Sequence, residues 1–311
     1  MAYRSLISEL SSIGIKPHVL HNRICYFVFG GGERGVLVVT GFRGYEYSLV
    51  SGILKLAILL KRSYKYGFTI VMVPCIDVNG LNGLGHILPA MSEKLDLTSL
   101  NYVLEGCSRE VESIGSFKVY MLINGVIVVL SRMFSSVDDY TKLRNKLLEE
   151  LKESKVEEWL NNIGRVVFYI NSDKYWKLYG DRYVSLESVN GKLLFLDELA
   201  SLNGSWLNRV LNNIISKYNI NFAIIVREYS GLTITINVPD LLSNIASPHM
   251  VKIIQSRVGV DVVVRQCNIG LLNSKVNTVT IDIPFMYESK QKTSITLYIS
   301  SMLCNIIAHY I

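Results

Sequence analysis

Val36–Val39 sets four apolar side chains in a row, and Phe68–Val73 is apolar except for Thr69. Short runs of this kind, without alternation, predict strands covered on both faces. Between them, Ser48–Lys61 repeats its apolar residues at helical spacing. Strand, helix and strand with short connections predict a parallel βαβ unit with a right-handed crossover. A helix over residues 3–13 and a strand over Ile24–Phe29 come before it, and the glycines of Gly30–Gly35 supply the turn between the first two strands. Open sheets of this type take ligands beyond the carboxyl ends of their strands. The loops Thr40–Tyr47 and Pro74–Leu84 are therefore the first places to seek chemistry.

The pattern changes in the middle of the chain. Leu97–Gly115 reads as a helix, and Phe117–Leu130 as two strands around Asn124-Gly125, a strong hairpin signal. Val137–Asn162 predicts a long helix. Tyr140, Leu143, Leu147, Leu151, Val156, Trp159, Leu160 and Ile163 keep helical spacing, and charged residues fill the other side. Val166–Ile170 and Tyr183–Leu186 read as further strands. From Gly191 the main sheet is expected to resume, with strand Leu193–Leu196, helix Trp206–Lys217 and buried strand Phe222–Val226. Helix Met250–Arg257, strands Val260–Arg265 and Val279–Ile283, and a last helix complete it. The expected organisation is an α/β core over residues 1–84 plus 190–311, with a mixed, mainly parallel sheet and helices on both faces. An inserted α+β section over 85–189 has no role assigned by its pattern.

Composition narrows the function classes. Half of the 311 residues are apolar and 19% are charged, which excludes a disordered chain. The net charge of +6 is spread out. The nearest approach to a basic block, Lys61, Arg62 and Lys65, lies where cations oppose the negative end of a helix, so nucleic-acid binding is not expected. Cys25, Cys75, Cys107, Cys267 and Cys304 show no CxxC or Cys/His metal spacing. Reduced, buried thiols and a cytoplasmic location are expected. The N-terminal segment lacks the apolar core of a secretory signal. Thr293–Ile311 is nearly uncharged, but Ser294, Thr296, Ser300, Ser301 and Asn305 interrupt it. Its large apolar residues, Ile295, Ile299, Met302, Leu303, Ile306 and Tyr310, fall at helical spacing. That predicts a helix packed on a sheet rather than a membrane span.

Three segments then carry a resemblance. Gly41–Glu46 reads GFRGYE after a buried strand, Val73–Leu81 reads VPCIDVNGL, and Thr278–Phe285 reads TVTIDIPF. In this order they resemble the zinc carboxypeptidase and succinylglutamate desuccinylase superfamily over roughly residues 20–84 and 190–311. The resemblance implies a zinc carboxypeptidase-like α/β fold. It also implies two zinc ligands on the first loop, where Arg43 stands for the His and Glu46 keeps the Glu. Asp77, Val78, Asn79 and Gly80 fill the family's Asn-Pro-Asp-Gly turn, and Asp282 stands at the catalytic Glu. For the third ligand, a His at a strand end, the resemblance points to Glu228 or a neighbour in Phe222–Gly231. Leu122 or Ile123 is the alternative.

Zinc hydrolases need neutral imidazoles and a carboxylate around the metal, with one position open for water. A guanidinium offers no lone pair. Arg43 therefore predicts a metal-free descendant of a hydrolase fold, with no cofactor and an Arg–carboxylate cluster of Arg43 and Glu46, joined by Glu228 or Asp282 if they converge. Such a protein would bind or scaffold, with a protein or peptide partner met through 85–189. The alternative is an active metallocarboxypeptidase or N-acyl amino acid deacylase, with zinc on Glu46, Glu228 and His86 or His249. Asp77, Asn79 and His86 are further binding candidates in or after the second loop. His18, His21 and His309 complete the scattered histidines, and Ser48 has no His close in sequence.

Overall fold

The computed structural model describes residues 3–20, 24–42, 46–64, 66–76, 78, 81, 205–229, 232–267, 276–284 and 286–310. At residues 4, 6 and 205–210 it describes the backbone alone. Between residues 83 and 200 it describes the backbone of six strands, together with Lys142, Asn145 and Glu149. The chain divides into two units: Met1–Asn82 with Ser201–Ile311, and Gly83–Ala200.

The first unit is built on an eight-stranded sheet. Its elements are α1 (Tyr3–Ser12), β1 (His18–Val19), β2 (Cys25–Phe29), β3 (Gly35–Val39), α2 (Tyr47–Ser63) and β4 (Thr69–Val73). After the second unit, which holds β5–β10, come α3 (Ser205–Lys217), β11 (Ile220–Tyr229), β12 (Ile234–Val238) and a 3-10 turn over Asp240–Ala246. Then follow α4 (Pro248–Val258), β13 (Val262–Gln266), β14 (Asn277–Pro284) and α5 (Ser289–Ile307). The strand order is β1-β2-β4-β3-β11-β14-β12-β13. β4, β3, β11 and β14 run parallel, and β12 and β13 are parallel to each other but opposed to β14. β1 and β2 complete the other edge in antiparallel pairing. This is the mixed, mainly parallel α/β sheet that the apolar runs predict.

Burial follows position in the sheet. β3 and β4 are buried at all five positions and β14 at seven of eight, as central strands must be. The edge strand β13 buries only Val262. β12 lies in a stretch to which the sequence reading assigns no element. Yet Thr233–Val238 alternates Thr or Asn with Ile and Val, and Ile234, Ile236 and Val238 are all buried. α4 begins as its sequence dictates, with Ser247 capping the Met250 N–H and Pro248 in the first turn, and ends at Gly259 with φ 72°.

α5 packs against α2 on one face of the sheet. Gly52 makes the approach possible: a Cβ there would lie 2.7 Å from Thr296 Cβ and 2.8 Å from the Thr293 carbonyl oxygen. Thr293 Oγ1 reaches the Ser48 carbonyl at 3.0 Å. α5 buries Ile295, Ile299 and Leu303, as its spacing predicts, and Ile307 and Cys304 as well. No described helix is long and apolar enough to cross a membrane.

The second unit holds β5 (Ser108–Ile114), β6 (Phe117–Leu122), β7 (Ile127–Ser131), β8 (Arg165–Tyr169), β9 (Tyr183–Val189) and β10 (Lys192–Phe195), ordered β10-β9-β8-β7-β6-β5. β6 and β7 form the antiparallel pair around Asn124-Gly125. β7 and β8 are parallel, a pairing that needs a long crossover. Residues 132–164 provide one, and Lys142, Asn145 and Glu149, within the predicted helix, are helical and exposed.

Two expectations are corrected here. Residues 108–114, read as part of a helix, form edge strand β5, because pairing with the apolar strand β6 overrides their charged local composition. Leu193–Leu196, expected in the large sheet, contributes instead to β10. Val189 pairs with Lys192 across Asn190-Gly191, the same hairpin dipeptide seen at 124–125.

In an open helix Gly→Ala stabilises by about 1 kcal/mol. At Gly52 the contacts with α5 reverse the sign, and Gly52→Ala should lose about 1–3 kcal/mol by overpacking, read from the urea midpoint. Among the described cysteines, Cys75 and Cys304 are buried and Cys267 is exposed. Burial pushes the Cys304 thiol up to about 12, so it stays protonated at pH 8. Ellman's reagent at that pH should modify Cys267 in the native protein and reach Cys304 only after unfolding.

Candidate functional site

Four adjacent parallel strands end side by side, and the three sequence segments lie at those ends. β3 leads into Thr40–Phe42 and Glu46, β4 into Pro74–Ile76, β11 ends at Arg227–Tyr229 and β14 at Asp282–Pro284. The first two loops are laced together. The Ile76 N–H donates to the Gly41 carbonyl at 3.0 Å and the Thr40 N–H to the Val73 carbonyl at 3.1 Å. Gly41 adopts φ 69°, and a Cβ there would stand 2.7 Å from Cys75 Cα. Only glycine meets both constraints. Thr40 Oγ1 donates to the Val226 carbonyl at 2.8 Å, tying the same loop to β11.

Glu46 is fully buried at the start of α2. Its side chain does not cap its own helix. Oε2 accepts the Phe42 N–H at 2.8 Å, and Oε1 accepts the Glu228 N–H at 2.9 Å. A buried carboxylate held by two backbone donors closes the loop on itself and pins it to the end of β11. Its charge also lies near the positive end of α2.

Glu228 is 3% exposed, and its Oε1 accepts from the Lys292 ammonium at 2.9 Å; Lys292 is 8% exposed. Lys292, from the first turn of α5, is a buried charged residue that the sequence pattern does not single out. Its signal was faint: a lysine among the otherwise apolar and hydroxyl-bearing positions that α5 turns inward.

Asp282 lies elsewhere. It pairs in register with Arg227, and Glu228 with Ile283. Neighbouring residues of a strand face opposite sides, so Asp282 and Arg227 share one face while Glu228 occupies the other, with α5. Asp282 accepts from Arg227 Nε at 2.5 Å and Nη2 at 3.4 Å, and from Asn237 Nδ2 at 3.2 Å. Asn237 also donates to Thr280 Oγ1 at 2.8 Å. Tyr229 OH lies 3.1 Å from Thr235 Oγ1 on the same face. Of the two acidic residues expected as partners of Glu46, Glu228 reaches it through its backbone N–H, and Asp282 lies on the other face. Glu46 meets Glu228, and Asp282 meets Arg227 and Asn237.

Arg43, Asp77, Asn79 and His86 lie outside the described residues. His18, His249 and His309 are exposed. Ser48 is buried in the first turn of α2. Among the described residues no three His, Cys, Asp or Glu side chains gather as a metal site.

No protein-family model and no curated protein matches the sequence. Solved structures do resemble it. A candidate metallopeptidase from Shewanella amazonensis is 10% identical with a TM-score of 0.44, over 98% of this chain and 91% of that one. A candidate carboxypeptidase from Burkholderia mallei is 9% identical with a TM-score of 0.41, over 98% and 67%. A candidate succinylglutamate desuccinylase/aspartoacylase family protein from Shewanella amazonensis is 12% identical with a TM-score of 0.33, over 94% and 72%. At these identities, residue roles rest on the contacts of this chain alone.

Replacing Glu46 by Gln turns an amide NH2 toward one of two buried N–H donors. The unpaired groups should remove about 1–3 kcal/mol. The loss would appear in thermal unfolding, with faster amide exchange at Phe42 and Glu228.

Proposed function

We propose that this chain is a metal-free, catalytically inactive protein of zinc carboxypeptidase-like fold that acts as a binding or scaffold protein. The observation that carries the proposal is the engagement of Asp282. A general base needs a free lone pair within reach of water. Asp282 is buried, and its two oxygens accept from the Arg227 guanidinium and the Asn237 amide. Such pairing fixes the direction of the carboxylate, so it serves to orient Arg227.

The other donors fit zinc no better. Arg43 has no lone pair to give. Glu228 already faces an ammonium, and both Glu46 oxygens hold backbone N–H groups. A tetrahedral site with N and O ligands and an open water position is not offered by this set. The reduced cysteines among the described residues support a reducing, cytoplasmic setting. The proposed partner is a protein or peptide, bound through the inserted section over residues 85–189.

Elemental analysis of the purified protein should find zinc far below one per chain. N-acyl amino acids and peptides with free C-termini should be hydrolysed no faster by wild type than by Asp282→Asn. One tightly held zinc per chain, or turnover abolished by a chelator, overturns the proposal in favour of a metallohydrolase with a rearranged site.

A further inference from the structure

The sheet face that carries Asp282 is polar across four strands. Parallel register sets Arg227 beside Asp282, and antiparallel register sets Asp282 beside Thr235. Thr235 pairs in turn with Val263 on the edge strand β13. The next row includes Thr280, Asn237 and Arg265. Paired residues of adjacent strands share a face, so Arg227 and Arg265 stand on one surface. Asp282, Thr280 and Thr235 are buried between them, whereas Arg265 is exposed and Val263 is 38% exposed.

The two guanidinium groups differ in what holds them. Asp282 takes Arg227 along one edge, at 2.5 Å from Nε and 3.4 Å from Nη2. That leaves the edge formed by Nη1 and Nη2, whose geometry matches a second carboxylate. The side chain is 35% exposed, and its direction is already fixed, so little rotamer freedom is lost on binding. Arg265 makes no hydrogen bond or ion pair with a described residue. Three strand spacings separate β11 from β13, on the order of 14 Å. Four steps along an extended peptide span about 13 Å.

We infer that this face of β11, β14, β12 and β13 binds an acidic peptide segment, with one carboxylate on Arg227 and a second, four residues along, on Arg265. Val263, two positions before Arg265, receives an apolar side chain of the segment. Charge complementarity favours a peptide over a nucleic acid. A phosphate backbone is bound by a run of cations, and here two stand apart with the Asp282 carboxylate between them. The site belongs to the first unit and goes beyond the partner surface proposed for residues 85–189.

The test titrates the full chain with a short peptide, capped at both ends, that carries two glutamates four positions apart and a valine midway. Nitrogen-edited NMR of the arginine side chains reads both the place of binding and the Kd. The Arg227 and Arg265 signals should shift, and affinity should fall as salt is raised. The same peptide with glutamine for both glutamates should bind about tenfold more weakly, as for the loss of two exposed ion pairs. Arg265→Gln, on the exposed edge, should weaken the glutamate peptide by roughly three- to fivefold. Arg257→Gln, which removes the same charge from α4, should leave it unchanged. Arg227→Gln should weaken it as Arg265→Gln does, and where that variant does not fold, Arg265→Gln decides. No binding, equal affinity for the two peptides, or equal effects of Arg257→Gln and Arg265→Gln overturns the inference. Tighter binding of a single-stranded oligonucleotide, lost in Arg265→Gln, overturns the choice of a peptide. The capped peptide has no free C-terminus, so zinc or turnover in the wild type would overturn the inactive reading and leave this site standing.

Discussion

Strand alternation is the constraint on which the site depends. β11 carries Arg227 and Glu228 in succession, and adjacent side chains on a strand cannot face the same layer. The parallel register with β14 then sets Asp282 beside Arg227 and Ile283 beside Glu228. Three acidic residues that reach the same edge of the sheet are thereby sorted into two separate arrangements. One is the buried group of Glu46, Glu228 and Lys292. The other is the Asp282–Arg227–Asn237 network, whose arginine side chain is 35% exposed. A shift of one residue in the β11 register would exchange the partners and leave Glu228 without its ammonium.

Much of the fold was legible because it is written in short-range patterns. The continuous apolar runs at β3, β4 and β11 announce buried parallel strands, and the spacing of α2 and α5 announces packed helices. β5 was hidden because its residues Ser108–Ile114 are mainly polar, and only pairing with β6 makes them a strand. β10 was misplaced for a related reason. Local sequence says strand, but which sheet receives it is decided by the Val189–Lys192 connection. The site was half legible. The motifs located the loops, yet Lys292 is more than sixty positions from Glu228 in the chain and belongs to no motif. Whether Glu228 and Asp282 meet is a question of parity, which depends on register.

The two ion pairs differ in what they can contribute. Arg227–Asp282 is partly solvated, and pairs of that kind contribute roughly 0–1 kcal/mol. Lys292–Glu228 is buried, and the dehydration of its two charges offsets much of their attraction. Two well-packed apolar side chains at those positions would hold α5 to β11 as firmly. Stability alone therefore does not account for the pair. What the pair does provide is a positive partner for a carboxylate buried at the end of β11. A tethered ammonium provides that partner at any metal concentration, whereas a dissociable ion would make folding depend on supply. The bond at 2.9 Å commits the Glu228 carboxylate to an ammonium of its own chain, and that commitment competes with any dication for the same oxygen.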